Sequence, residues 1–252
     1  MNIWTSFKEL IFLFLQQIEG VVGDWGLAII VLTVLVRLAL MPLTIKQTRS
    51  MYELQRIQPK IKELQAKYKD DKEKLQEETM KFYQENKVNP FGGCLPMLLQ
   101  MPLLIALYQV LGGTAKHPGM LMEYLTETGE VGKFFFIIPD IAKTPSMVYS
   151  TQGLVAAIPY MLLVVLFGLS VWLPQFLMPG DKQQKMIGGY MAVVMLWFGW
   201  SAPAGVLLYW DLSSVWGVAQ QQIMMASMKR AHADDEIVQE PAAKAKGKKK
   251  NK

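Results

Sequence analysis

A single arginine, Arg37, stands inside the apolar run from Trp25 to Leu43 (Trp-Gly-Leu-Ala-Ile-Ile-Val-Leu-Thr-Val-Leu-Val-Arg-Leu-Ala-Leu-Met-Pro-Leu). A run of this kind is long enough to span a bilayer, since roughly 20 apolar residues cross about 30 Å of hydrocarbon. A charge at that depth costs about 2.5–3.5 kcal/mol on insertion scales. Such residues face a protein interior or a water-filled cavity and mark a pathway or a binding site. The competing reading is that Arg37 snorkels to the nearer headgroups, because Leu43 is only about 9 Å further along a helix.

The rest of the chain agrees with a membrane setting. Hydrophobic residues make up 52% of the 252 residues, and mean hydropathy is +0.20. The charges are segregated into polar blocks between apolar stretches. One cysteine, Cys94, excludes an intrachain disulfide, and it reads as a packing residue. The N-terminus carries Lys8 and the apolar stretch 10–15 without a small-residue cleavage site, so it reads as retained.

Residues 1–20 predict an external amphipathic helix lying in the interface, with Trp4 at headgroup level. Five spans follow within a core of 21–228, at about 25–43, 94–111, 154–177, 186–202 and 203–225. Pro174 and Pro179-Gly180-Asp181 close the third, and Ser201-Ala-Pro-Ala-Gly205 turns the fourth into the fifth. One set of connecting segments holds 21 Lys and Arg, and the other holds four (Lys8, Lys116, Lys133 and Lys143). The positive-inside rule then places the N-terminus outside and the C-terminus in the cytoplasm. The expected fold is an all-α integral membrane protein: five transmembrane helices, a cytoplasmic helical hairpin and an N-terminal interfacial helix.

The hairpin occupies 46–88. Met51, Leu54, Ile57, Ile61, Leu64 and Tyr68 form a narrow apolar stripe, and Leu75, Met80 and Phe82 or Tyr83 form a second face. Pro59 is expected to kink or divide the first helix. Asp70 and Glu73 are expected to form a capping box for the second. The outer-loop run 134–138 reads as a surface-lying amphipathic piece. The tail, 229–252, is poor in apolar residues and rich in lysine, so it is expected to be disordered and to suit a polyanion, either anionic lipid or ribosomal RNA.

Enzymatic chemistry finds little support. The two histidines, His117 and His232, lie outside the spans, and there is no His-Glu-x-x-His, Gly-x-Ser-x-Gly or Walker loop. No cofactor or metal is expected. A small-solute transporter or channel is the main alternative, although five spans do not divide into two equal repeats. A structural ribosome tether is a third reading. Polar groups do recur inside the spans: Thr33 one turn before Arg37, Gln100 midway along the second, and Trp210, Asp211, Ser213 and Ser214 near the centre of the fifth. Singly these are interhelical glue. Together they predict a hydrophilic cavity that crosses part of the membrane.

Several strings resemble the YidC/Oxa/Alb family of membrane protein insertases. They are Trp25-Gly-Leu-Ala-Ile-Ile-Val-Leu-Thr33-x-Leu-Val-Arg37, Gln58-Pro-Lys60, Asn89-Pro-x-Gly-Gly-Cys94-x-Pro-x-Leu-x-Gln100-Met-Pro102, Leu207-x-Tyr209 and Gln220-Gln-Gln222. The resemblance runs from residue 20 to about 230 and points to the short, five-span branch. It implies an insertase that works without ATP through a groove open to the cytoplasm and to lipid. Arg37 would be the groove's charge, Thr33 and Gln100 its lining, and Tyr209 and Trp210 its aromatic contacts. Nascent membrane proteins with short translocated tails would be the clients, with the ribosome met by the basic tail. The protein would act alone or beside the Sec translocon.

The physics is compatible with that role. Moving an acidic tail through hydrocarbon carries charge and unpaired backbone groups across it. A half-deep groove shortens the distance, and Arg37 attracts the tail where Coulomb terms exceed those in water. Asp211 departs from the apolar residue the family pattern leads one to expect. It lies about 12 Å from the outer end and Arg37 about 18 Å, so pairing of the two, weakening the pull on acidic substrates, is one expectation. The other is that Asp211 faces groove water or another helix.

Overall fold

The structure is a computed structural model that describes residues 2–86, 88–89, 95–114, 117–177 and 182–248, with side chains left out at 95–99, 113–117, 175–177, 182–185 and 232–248. Cys94 therefore lies outside the described residues. The chain divides into two compact units, one of residues 1–40 and 97–218, the other of 41–96 and 219–252. Apart from two-residue strands β1 (Gly113–Thr114) and β2 (His117–Pro118), the described regular structure is helical.

The first unit starts with α1 (Ile3–Val22), which Asn2 caps and Gly23 ends in the left-handed region at φ 72°. That glycine permits the reversal, and Asp24 at once caps α2 (Trp25–Ala39) by accepting from Leu27 N at 2.8 Å. α1 is more than a surface helix. Its Ile11, Phe12 and Leu15 are buried in a core shared with Trp25, Ala28 and Ile29 of α2. Phe12 stacks on Trp25, and both rings meet Tyr124 of α6 (Met120–Thr128). Trp4 Nε1 also donates to Gln109 Oε1 on α5 (Leu95–Leu111) at 3.0 Å.

The expected first span, 25–43, is not one helix. α2 stops at Ala39, since Pro42 has no N–H for the next turn and its ring clashes with the turn before it. Pro42 instead takes the first turn of α3 (Met41–Lys67), where no partner is required. α7 (Pro145–Leu177) breaks at Gly153, φ 84°, directly before the expected span 154–177. α8 (Lys182–Trp200) and α9 (Ala204–Lys248) follow. By length and apolarity, Pro145–Pro174 qualifies outright as a span, and α2 and α3 qualify only as a bent pair. Gln100–Leu111 and Met186–Trp200 are shorter apolar helices. Among the described residues, helix length by itself thus marks fewer spans than five. The surface nevertheless suits lipid: Val155 on α7 is 81% exposed and Trp197 on α8 78%, among many exposed apolar neighbours.

α7 and α8 pack through glycines. A Cβ at Gly168 would overlap the Leu196 side chain, and Gly199 lies against Phe167 and Val164. The run 134–138, expected as a surface-lying amphipathic piece, is a tight reversal closed by a bridge between Phe134 and Ile138, with Ile138 buried and Phe136 exposed.

In the second unit, α3 runs unbroken through Pro59, so the expected division there does not occur. Residues 68–71 lead into α4 (Lys72–Glu85). Its cap is Asp71, not Asp70: the carboxylate accepts from Lys74 N at 3.0 Å, which moves Glu73 out of the capping-box position. Ile57 and Ile61 of the α3 stripe are buried, whereas α4 buries none of its residues. Tyr68 lies under both Lys67 and Lys74. The continuation of α9 is tied to α3 by Gln220 Nε2 donating to Thr44 Oγ1 at 2.7 Å and by Gln221 against Met51 Sδ at 3.8 Å. α9 stays helical to Lys248, through most of the segment expected to be disordered. The alanines and long charged residues there are good helix formers, so continuing the helix costs little.

The glycine packing carries a prediction. Gly168→Val should destabilise the first unit by about 1–3 kcal/mol through overpacking against Leu196, read as a lowered melting temperature in detergent. Gly189→Ala, where a Cβ meets nothing within 4 Å, should not.

Candidate functional site

The site is built on α2, α5 and α9 within the first unit. Arg37 sits in the last turn of α2, half-buried, and its Nη1 points to Gly217 of α9, 3.8 Å from where a Cβ would stand there. A larger side chain at 217 would compete with the guanidinium for that space. Arg37 is also near enough to Tyr209 for the two to interact electrostatically. Among the described residues it makes no hydrogen bond and joins no ion pair, unlike Arg56 with Glu53, Lys60 with Glu63 and Lys143 with Asp140.

Tyr209 links two of the helices. It is 2% exposed, and its hydroxyl accepts from Gln100 Nε2 of α5 at 2.8 Å. Arg37, Tyr209 and Gln100, singled out from the sequence on three different helices, therefore belong to one polar locus. Thr33 shares Arg37's face of α2, but it is buried and its hydroxyl donates to Ile29 O at 2.6 Å. Its polarity is spent on its own helix.

Trp210 and Asp211 leave this locus because the helix turns about 100° per residue. Trp210 packs edge-on against Phe167 of α7, ring centroids 5.3 Å apart, and forms a wall of an apolar cavity of about 170 Å³ with Leu104 and Phe198. Asp211 is two residues, about 200°, beyond Tyr209. It is 8% exposed, and neither carboxylate oxygen has a hydrogen-bond partner among the described residues. The expected pairing with Arg37 is therefore absent: depth allowed it and rotation around α9 forbids it.

Sequence reasoning missed Gly217, whose contribution is the absence of a side chain. It also missed Asp24, whose cap spacing before α2 was readable but whose second partner, Phe135 N at 2.7 Å, is 111 positions away. Among the described residues no cluster of three or more His, Cys, Asp and Glu could hold a metal. The arrangement offers a cation, a phenol and an amide on one side of α9 and an apolar hollow on another.

The profile of a family described as "60Kd inner membrane protein" matches residues 17–232. The chain is 37% identical over 232 residues to a membrane protein insertase YidC of Pseudoalteromonas atlantica, and 36% identical to one of Francisella philomiragia subsp. philomiragia. Both matches cover 90% of this chain and 37% of the relative, so the chain spans little more than a third of those proteins' length. Among solved structures, an active YidC insertase crystal structure with its first transmembrane domain resolved is similar at a TM-score of 0.63 and 25% identity, over 90% of this chain and 47% of that one. The chain belongs to the 60Kd inner membrane protein family, that of the YidC/Oxa insertases, as its sequence motifs led us to expect.

Proposed function

We propose that the protein is a membrane protein insertase of the bacterial inner membrane, and that Arg37 supplies the charge that draws acidic segments of its clients into the bilayer. The observation that carries this reading is the missing counter-charge: Arg37 lies on an apolar helix, half-buried, with no carboxylate paired to it among the described residues. A stabilising arginine at that depth would be paired. An unpaired one is available to a ligand carboxylate, and a charge-assisted contact in a low-dielectric site is strong.

In this reading five spans enclose a groove open to the cytoplasm, with the N-terminus outside. α2, the two shorter apolar helices, α7 and the first part of α9 would form them. The Tyr209–Gln100 bond would hold α9 to α5 beside Arg37 and supply polar groups that a passing segment can exchange with. α3 and α4 would receive the client in the cytoplasm, and the lysine-rich end of α9 would meet ribosomal RNA or anionic headgroups. The step is one of transfer between solvents, so neither ATP nor covalent chemistry enters. The partner at the site is a nascent chain, alone or beside the Sec translocon.

Reconstituted insertion of a one-span substrate with an acidic translocated tail tests this. Arg37→Lys should keep most of the activity. Arg37→Ala should lose about tenfold or more, and neutralising the substrate's tail should recover the loss. Equal insertion by Arg37→Ala and the native protein would contradict the charge mechanism. In the same assay Gly217→Ala should be tolerated, whereas Gly217→Leu, which competes with Nη1 for space, should behave like a partial Arg37 loss. Tyr209→Phe deletes one neutral hydrogen bond, worth about 1 kcal/mol, and should cost less than Arg37→Ala.

A further inference from the structure

One end of the first unit is closed by a loop that ties together the helices carrying the polar locus. Gly26 N donates to Lys133 O at 3.1 Å, which ties the loop to α2. Gly205 N donates to Ile141 O at 2.8 Å and Ala204 N to Lys143 O at 3.0 Å, which tie it to α9. Tyr160 Oη donates to Asp140 O at 2.9 Å from α7. The ring of Phe134 lies directly on Gly26, where any Cβ would overlap it, so only glycine at 26 admits the loop.

Asp24 is the side chain that joins α2 to this loop. It is 7% exposed, and its two oxygens do different work. Oδ1 caps α2 through Leu27 N at 2.8 Å, and Oδ2 accepts from Phe135 N at 2.7 Å. Phe135 has φ 47°, the left-handed region that an L residue with a bulky side chain adopts only under constraint. A charge-assisted bond at that N–H is such a constraint. Among the described residues no cation pairs with Asp24 instead: Lys143 pairs with Asp140 at 3.4 Å, and the near neighbours include Glu19, whose carboxyl burial first, and then the charges of Glu130 and Asp24, push above its ordinary value.

We infer that Asp24 is a positioning residue that latches residues 132–143 over the outer end of α2 and α9, and so seals the groove against the outside. The inference rests on the groove reading above. A groove that admits water part-way is useful only if it stops before the far side, because a through-path would leak ions. Arg37 is 13 residues, about 20 Å, along α2 from Asp24, so the latch and the charge occupy opposite ends of one helix. Client traffic at the Arg37 end then leaves the barrier intact.

The test uses Cys94→Ser protein with Gly217→Cys as reporter beside Arg37, reconstituted in vesicles and exposed to a membrane-impermeant maleimide from either side. With the native loop, the thiol introduced at position 217 should be labelled from the cytoplasmic side and protected from the outer side. Asp24→Asn keeps the α2 cap, because asparagine caps as well as aspartate, but it loses one of the two carboxylate acceptors. It should raise outer-side labelling about tenfold or more, as loss of a hydrogen bond to a charged group would. Gly26→Ala, which evicts the Phe134 ring and leaves Asp24 intact, should do the same and decides the question if Asp24→Asn does not reach the membrane. Outer-side labelling that stays at the native level in these variants, with cytoplasmic labelling preserved, overturns the seal and leaves the groove standing. No cytoplasmic labelling in the reporter protein with the native loop overturns the groove, and the seal with it.

Discussion

An arginine with no ion-pair partner among the described residues, held among apolar helices, is the constraint on which the rest of the site depends. Desolvating a guanidinium is expensive, and in most proteins a carboxylate offsets it. Here the surroundings offer dipoles and space instead: the phenol of Tyr209, bound in turn by Gln100, and the gap left by Gly217. None of these cancels the charge. A carboxylate brought by a ligand would meet a cation whose desolvation has already been accepted by the fold, so the attraction is available to that ligand.

The first unit is arranged around keeping this possible. α9 presents Tyr209 and Gly217 to the locus and turns Asp211 about 200° away from Tyr209. α7 and α8 are locked by glycine contacts that need no polar groups, and the polar contacts gather at the loop end, where Asp24, Tyr160 and the backbone of 132–143 bind the helix starts. In the proposed reading, the tied loop end and an uncancelled charge about 20 Å away would be two parts of one barrier, passable from one side.

Much of this was legible in the chain, because membrane depth magnifies contrast. Arg37 stood out since nothing near it in sequence is charged, Gln100 as a polar group inside an apolar run, and Tyr209 through the Leu207-x-Tyr209 string that resembles the family. The family followed from spaced strings around them. What could not be read was rotation and long-range closure. Depth alone let Asp211 reach Arg37, and only the register of α9, fixed by Tyr209 on Gln100, separates them. A break was expected at Pro59 and none at Pro42, yet α2 ends just before Pro42 while α3 runs through Pro59, since the outcome depends on whether the preceding turn can give up its bond. The cap moved from Asp70 to Asp71, the one-residue uncertainty usual at helix ends. Phe134–Ile138 read as a surface piece because its partner, Gly26, lies more than a hundred residues earlier and contributes by having no side chain.

The most direct measurement reverses the charge on both sides of the contact. Arg37→Glu protein, reconstituted alone, would be given paired one-span substrates that differ only in carrying an acidic or a basic translocated tail. The expected result is an exchange of preference: the acidic tail is rejected and the basic tail is inserted better than by the native protein. If both tails insert as they do with arginine, or both fail equally, the charge at position 37 does not select the client.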